Sequence, residues 1–291
     1  MPKILITGTN SFVGKNFLQY STFQDVDEIS LFENSPCDIN FNIYDIVIHL
    51  VAIVHQTQRI PEEEYFRVNK DLCLEVAINA KKAGVKQFIF LSTVKVYGEF
   101  IHGSGPWNEF SECRPDDSYG ISKYEAEKAL RQLEGPDFIV SVVRTPLVYG
   151  EGVRANMLSI MKFIMSSYIL PFKNINNRRN FTSAENLVSF IDRIIEKKAS
   201  GIFIAMDEEA ISTTELVKMI AENMGKKIFL FGFPDFLIRI GTSILPGIFD
   251  RLYGSFEMDN SETLRRLDFK PPVAIREGIK KMVVAFMKNG K

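Results

Sequence analysis

Short apolar runs alternate with helix-period segments along most of the chain. Six runs read as strands: Lys3–Thr7, Glu28–Phe32, Ile46–Leu50, Gln87–Thr93, Phe138–Val143 and Ile202–Ala205. Several are unbroken apolar runs, the pattern of strands covered by helices on both faces. Strands and helices in alternation predict βαβ units and a parallel sheet, so the expected fold class is α/β, doubly wound. The helix over 62–83 is well marked, with Pro61 at its start, Glu62, Glu63 and Glu64 in its first turn and Gly84 at its end. Tyr65, Val68, Leu72 and Val76 form one apolar stripe; Phe66, Cys73, Ala77 and Ala80 form another. Two stripes predict burial on two sides, one against the sheet and one against a second subunit. A further helix is expected over 118–133, before Gly135.

The chain divides best near Gly150. Residues 1–150 are expected to form a dinucleotide-binding domain, to which 181–206 return; 151–180 and 207–291 are expected to form a smaller C-terminal substrate-binding lobe. The most hydrophobic late stretch, 228–249, is interrupted by Pro234, Asp235, Arg239 and Pro246. It cannot be an apolar span of about 20 residues, and it reads as a buried or interface helix.

Composition narrows the classes further. With 46% apolar and 24% charged residues the chain is neither disordered nor a coiled coil. Its 35 basic and 36 acidic residues leave a net charge of −1, against a nucleic-acid binder. Cys37, Cys73 and Cys113 form no CxxC pair, and His49, His55 and His102 lack ligand spacing, so no metal is expected. Scattered thiols suit a reducing compartment. The opening Met1-Pro2-Lys3 runs straight into Ile4-Leu5-Ile6 and does not read as a secretory leader. A cytoplasmic location is the expectation.

Candidate chemistry begins at Thr7-Gly8-Thr9-Asn10-Ser11-Phe12-Val13-Gly14, which ends the first strand and opens a helix. Gly8 permits the tight turn, N–H groups at the helix start suit a pyrophosphate, and Gly14 lets the helix approach the strand. Ser11 stands at the middle glycine position, where its Cβ is expected to crowd the phosphate. Glu33, at the expected end of the second strand, suits the adenosine ribose hydroxyls and disfavours a 2′-phosphate, so NAD is preferred to NADP. Asp38-Ile39 follow as an adenine clip. Only 12 residues separate Glu33 from Ile46, so the helix between strands two and three is expected to be lost.

Tyr119 and Lys123 lie four apart, on one face of a helix. A neighbouring ammonium is expected to lower the tyrosine pKa from about 10 towards neutrality, making it a usable acid or base. Leu91-Ser92-Thr93-Val94-Lys95-Val96-Tyr97-Gly98 brings a hydroxyl to the carboxyl edge of the fourth strand, where ligands bind in such sheets.

Together these features resemble the extended short-chain dehydrogenase/reductases, specifically the nucleotide-sugar epimerase/dehydratase group with its Rossmann-type sheet. The resemblance runs through Asp45–Ala52, Arg67-Val68-Asn69, Ser92–Gly98, Tyr119-x-x-x-Lys123 and Arg144–Gly150. It implies that Thr93, Tyr119 and Lys123 are catalytic, with Tyr119 exchanging a proton with the sugar O4 and Lys123 holding the nicotinamide ribose. It adds Leu50, Ala52, Asn69 and Pro146 to the cofactor site. It implies substrate contacts from Thr93, Lys95, Tyr119, Asn156 and Arg179, with Arg251 as a second diphosphate contact. The family's usual serine is Thr93 here, and the proline that usually follows the arginine is Thr145. The implied activity is 4-epimerisation of a UDP-hexose or UDP-N-acetylhexosamine with tightly bound NAD. The alternatives are an NAD(P)H-dependent UDP-4-keto-6-deoxyhexosamine 4-reductase of polysaccharide assembly and a non-catalytic dinucleotide-binding sensor. A homodimer through helices 62–83 and 118–133 is also implied.

Overall fold

The structure, a computed structural model, describes every residue except 55–59, 99–105, 245–251 and 290–291. Six parallel strands form the central sheet: β1 (Ile4–Thr7), β2 (Val26–Ile29), β3 (Ile46–His49), β4 (Gln87–Thr93), β5 (Ile139–Thr145) and β9 (Gly201–Ile204). Their order is β2-β1-β3-β4-β5-β9. Successive crossovers leave β1 in opposite directions, so the chain switches direction between β1 and β3. A crevice at the carboxyl edge of a sheet lies at such a point. The Gln87–Thr93 strand has its expected bounds. The second strand begins two residues earlier than its apolar run suggested and stops at Ile29; Ser30–Phe32 lie outside it.

Helices cover both faces, which is why β1, β3, β4 and β5 are almost wholly buried, whereas the edge strand β2, Val-Asp-Glu-Ile, is only partly so. On one face α1 (Phe12–Tyr20) and α5 (Ala184–Lys197) bury Phe17, Leu187 and Ile191 against Ile4, Ile6 and Ile48. On the other, α2 (62–82) and α3 (Ser118–Arg131) bury Val76, Ala77, Ala126 and Leu130 against Val47, Phe88 and Phe90. Burying a side chain of this size is worth about 1.5–3 kcal/mol. The residues of α2 do not split into the two expected stripes. Tyr65, Val68, Cys73, Val76, Ala77 and Ala80 are all buried within the monomer, whereas Phe66 and Leu72 are half-buried. A π-helical stretch over Arg67–Leu72 widens this helix around Asn69. The connection from β2 to β3 has only two 3₁₀ turns, Pro36–Asp38 and Phe41–Ile43, and the crossover helix is absent as expected.

Beyond β5 the chain builds a second apolar cluster. It takes in β6 (Leu147–Tyr149), α4 (Ala155–Ser166), β7 (Ile169–Leu170), α6 (Thr213–Asn223) and α9 (Ile275–Asn289), packing Met157, Met161, Val217, Ile220 and Met282. β8 (Phe181–Ser183) pairs with β6, and β10 (Phe229–Leu230) pairs with β7. Two shorter helices follow, α7 (Asp235–Ile244) and α8 (Ser261–Leu267). The 228–249 stretch is not the buried helix its composition suggested. Only Asp235–Ile244 is helical among its described residues, and Phe229, Phe236, Ile240 and Ile244 face solvent.

A hydrogen-bonded knot joins the two clusters. The Tyr149 hydroxyl donates to Asp207 at 2.7 Å, and the same carboxylate accepts from the Ser183 amide and the Asn186 side chain at 3.0 and 2.6 Å. Burial raises the Asp207 carboxyl pKa against the pull of these donors.

Candidate active site

Gly8 ends β1 with φ +114°, a region that an L side chain rarely enters. Its amide donates to Ile29 of β2 at 2.9 Å. A Cβ there would lie 3.4 Å from the Val51 amide, so the loops after β1 and β3 close together at the switch point. Asn10 also takes positive φ, at +60°, which asparagine tolerates better than most residues. Ser11 has a local role that its place in the glycine pattern did not suggest. It is the N-cap of α1, its Oγ accepting from the Gly14 amide at 3.0 Å. The hydroxyl turns back into the helix. The cap engages the Gly14 amide and leaves Phe12 and Val13 as first-turn amides at the positive end of the helix dipole. This is a cradle suited to a dinucleotide pyrophosphate.

The acidic partner is less clear-cut. Glu33 is exposed and four residues beyond the end of β2. Asp38 is exposed too, while Ile39 packs at the edge of the core. The sequence reading missed Glu28. This residue is on β2, its Oε1 is buried without a hydrogen-bond partner, and it lies 2.7 Å from where a Gly14 Cβ would be. Its signal was an acid inside β2 itself, beside Asp27, whereas the expected strand end, three residues too late, pointed to Glu33.

Leu50 continues from β3, its amide bonded to Thr7 at 3.0 Å, and Ala52 is half-buried two residues on. Asn69 is wholly buried. Its Oδ1 accepts from Ile53 N–H at 2.7 Å, and its Nδ2 donates to Ile53 O and Ser122 Oγ, both at 3.0 Å. All of these bonds are internal, so Asn69 ties the loop after β3 to α3, and its place in the cofactor site is that of a positioning residue. Pro146 is buried just past β5.

Thr93 ends β4, directly beside Thr145 of β5. Its side chain accepts from the Lys95 amide at 3.2 Å and forms a hydrogen bond with the Tyr119 phenol. Asp117 caps α3 by accepting from the Gly120 amide at 2.6 Å, and its other carboxylate oxygen takes the Lys95 ammonium. Lys95, expected at the substrate, is thus held at the start of the helix that carries Tyr119. Gly120 lets that helix approach the segment after β4, since a Cβ there would be 2.8 Å from the Lys95 carbonyl.

Lys123 lies one turn beyond Tyr119, and its ammonium sits 4.0 Å from the centre of the Phe90 ring. Burial lowers its pKa to about 8, against the pull of Cys73 and Glu127. The anticipated depression of the tyrosine pKa is not what the structure contains. Burial pushes Tyr119 up to about 12; the Thr93 hydrogen bond opposes this, and the Asp117 charge adds to it. Lys123 is not among the causes. Tyr119 is therefore a phenol at neutral pH in this structure, poised as a proton donor.

Beneath these groups lies a buried ion pair that the sequence reading did not pick out. Glu127, one turn beyond Lys123, receives Arg144 Nε at 3.1 and 3.2 Å and Nη2 at 2.6 Å. Ser92, next to Thr93, donates to the same carboxylate at 2.5 Å. Arg144 Nη1 also donates to the Tyr97 hydroxyl at 2.8 Å. The pair fastens α3 to β4 and β5 directly below Thr93 and Tyr119.

The remaining substrate candidates come from the chain beyond β6. Asn156 is exposed in the first turn of α4. Arg179 is half-buried, its Nη1 donating to Gly254 O at 3.0 Å and its guanidinium facing the Phe256 ring. Its neighbour Arg178 is exposed and pairs with Glu257 at 2.9 Å. Arg251 lies outside the described residues.

A parallel sheet with a glycine cradle at its switch point and a Thr–Tyr–Lys group at the same edge defines a Rossmann-type enzyme of the short-chain dehydrogenase/reductase kind. The sequence model of the NAD dependent epimerase/dehydratase family matches residues 4–204, and the chain belongs to that family. A UDP-glucose 4-epimerase from Vibrio cholerae is 33% identical, the match covering 99% of this chain and 96% of that protein. An N-acetyl-alpha-D-glucosaminyl-diphospho-ditrans,octacis-undecaprenol 4-epimerase from Escherichia coli O157:H7 is 25% identical over 77% of this chain and 73% of its own length. The solved structure of UDP-glucuronic acid 4-epimerase from Bacillus cereus, in complex with NAD, superposes with a TM-score of 0.77 at 17% identity, covering 99% of this chain and 100% of that one. RMD from Pseudomonas aeruginosa, complexed with NADPH, gives 0.79 at 16% identity over 99% and 100%. At these identities the two structures speak for the fold.

Proposed function

We propose that the protein is an NAD-dependent 4-epimerase of a UDP-hexose or UDP-N-acetylhexosamine. The observation that carries the reading is Tyr119, hydrogen-bonded to Thr93 at the end of β4 and one helical turn from Lys123, on the edge that also bears the glycine cradle. The full-length similarity to a UDP-glucose 4-epimerase supports the choice of reaction.

Gly8, Phe12, Val13 and the α1 amino end would hold the pyrophosphate, with Leu50, Ala52 and Pro146 along the rest of the dinucleotide. Glu28 or Glu33 would meet the adenosine ribose. NAD held there would supply hydride transfer at the sugar C4, the chemistry that inversion of that carbon requires. The chain's own residues manage the proton and the pose. Tyr119 exchanges a proton with O4, Thr93 orients that oxygen, and Lys123 bonds the nicotinamide ribose. The positive charge of a bound oxidised cofactor would favour phenolate at Tyr119 and add to the Thr93 hydrogen bond in opposing the burial that raises it. General acid–base work of this kind contributes about 10²- to 10⁴-fold. Arg179, a planar guanidinium, is assigned to the substrate diphosphate. Asn156 is assigned to the substrate beside it.

The test begins with protein purified without added cofactor. Denaturation should release near-stoichiometric NAD, and the intact protein should interconvert UDP-glucose with UDP-galactose, or the corresponding N-acetylhexosamines. An empty protein that takes up NADPH and reduces a UDP-4-keto-6-deoxyhexosamine would replace this reading with the 4-reductase. The homodimer through helices 62–82 and 118–131 belongs to the same proposal. A monomeric mass at micromolar concentration would refute it.

A further inference from the structure

The outer face of the C-terminal lobe is unusually apolar for a surface exposed to water. β7 and β10 form a two-stranded ribbon in which Ile169 and Phe229 stand side by side, 59% and 67% exposed. Their neighbours Leu170 and Leu230 turn inward, as the strand period requires. Tyr168 and Met165 extend this patch. The chain then runs from β10 through Phe233 into α7. On that helix Phe236, Ile240 and Ile244 recur every fourth residue, all at least half exposed, as one apolar stripe. Isolated surface apolar residues need no explanation, but exposed aromatic and aliphatic side chains gathered on adjoining stretches of chain mark an interaction surface.

The charge around this face identifies its partner. Residues 159–173 and 225–244, which carry the face, contain Lys162, Lys173, Lys226, Lys227 and Arg239 against one acid, Asp235, leaving 30 basic and 35 acidic residues for the rest of the chain. Lys162, Lys173 and Lys227 are exposed beside the patch. Lys226 holds the carboxyl end of α4 through the carbonyls of Ile164 and Met165 and lies 4.4 Å from the Tyr168 ring centre. A basic rim around exposed aromatics, on a chain that is otherwise acidic, complements an anionic lipid surface. Among the described residues no helix is long and apolar enough to cross a membrane, so this face would lie on a bilayer and not span it.

We propose that this face docks the protein on anionic membranes, with α7 and the β7–β10 ribbon inserted at the headgroup level and the lysines above them against the lipid phosphates. The site is separate from the Thr93–Tyr119–Lys123 centre, and the proposal does not rest on the epimerase reading.

The full chain is sedimented with vesicles of phosphatidylcholine alone and of equal parts phosphatidylglycerol and phosphatidylcholine, in low and high salt. It should sediment with the anionic vesicles, and salt should weaken the association. Phe236→Asp with Ile240→Asp should lower the partition coefficient by about tenfold or more. Lys162→Glu with Lys227→Glu should abolish the preference for phosphatidylglycerol. Both pairs of changes should leave the circular dichroism and the melting temperature close to wild type, since these side chains are exposed. The proposal is overturned if folded wild-type protein stays in the supernatant with anionic vesicles, or if the Asp variant sediments as well as wild type. It is also overturned if the patch serves self-association: a dimer that Phe236→Asp with Ile240→Asp turns into monomer, with no wild-type binding to vesicles.

Discussion

Replacing Glu127 by alanine tests whether a buried ion pair sets the position of the reacting groups. Glu127 and Arg144 are 3% and 2% exposed, and two of the guanidinium's nitrogens engage the carboxylate. The carboxylate also receives Ser92, and Arg144 continues to Tyr97, whose hydroxyl donates to the Asn108 carbonyl at 2.8 Å. Alanine leaves a guanidinium in the core with no carboxylate, only the neutral Tyr97 hydroxyl and Cys113 thiol beside it among the described side chains, and the Ser92 hydroxyl loses its acceptor. Removing one partner of a buried pair costs about 3–5 kcal/mol. For a chain of this size that is about 2 °C per kcal/mol, so the melting temperature should fall by about 6–10 °C. Activity should fall as well, because α3 loses its tie to β4 beneath Tyr119 and Thr93. The Glu127 carboxylate also holds the Lys123 pKa up against burial. Without it Lys123 should titrate below about 8, and the part of the pH–rate profile that follows Lys123 should shift to lower pH. The assays are a thermal melt and a pH–rate profile on purified variants. Glu127→Leu with Arg144→Met should recover most of the stability, since a well-packed apolar pair has no unpaired charge, but not the pH profile. A fall of under 2 °C for Glu127→Ala, or an unmoved profile at unchanged stability, would refute the reasoning.

Three further outcomes are expected. Tyr119→Phe should cut turnover by about 10²- to 10⁴-fold with the bound dinucleotide retained, read by steady-state rates and cofactor release. His49 is fully buried, its Nδ1 is 2.8 Å from the Thr7 hydroxyl, and its Nε2 has no partner; burial, then the Lys123 charge, lowers it to about 3. The unfolded chain therefore takes up a proton near pH 6.5 that the folded one refuses until about 3. This contribution to stability is complete above 6.5 and is lost as pH falls, by about 1.4 kcal/mol per unit; His49→Leu should show a shallower loss in acid unfolding curves than wild type. Gly14→Ala would place a Cβ 2.7 Å from both Ser11 Oγ and Glu28 Oε1. It should cost about 0.5–2 kcal/mol through the lost cap and lower the dinucleotide content of the purified protein.

Much of the framework was legible in the linear chain because local periodicity encodes it. Unbroken apolar runs marked the parallel strands, Gln87–Thr93 to the residue. The four-residue spacing of Tyr119 and Lys123 placed them on one helix face, and the gap after Glu33 foretold the missing crossover helix. The sequence alone therefore determined the α/β class and the glycine turn at the end of β1, while the Thr–Tyr–Lys set came from the resemblance to the family. Properties that depend on which surfaces meet required the tertiary structure. Ser11 is a helix cap because its hydroxyl reaches the Gly14 amide, and Asn69 ties a loop to α3 because its amide faces Ile53 and Ser122. Burial raises Tyr119, and its neighbour along the helix does not reverse this. Glu127 and Arg144 are separated by 17 positions and carry no local pattern; they meet only when α3 packs across β4 and β5. In the apolar stretch after residue 227, Ile228 and Leu230 pack against the cluster of Met157, Met161, Val217 and Ile220, whereas Phe229, Phe236, Ile240 and Ile244 face solvent. Hydrophobicity along a chain specifies that a side chain favours leaving water, and only the packed fold decides whether protein or another surface receives it.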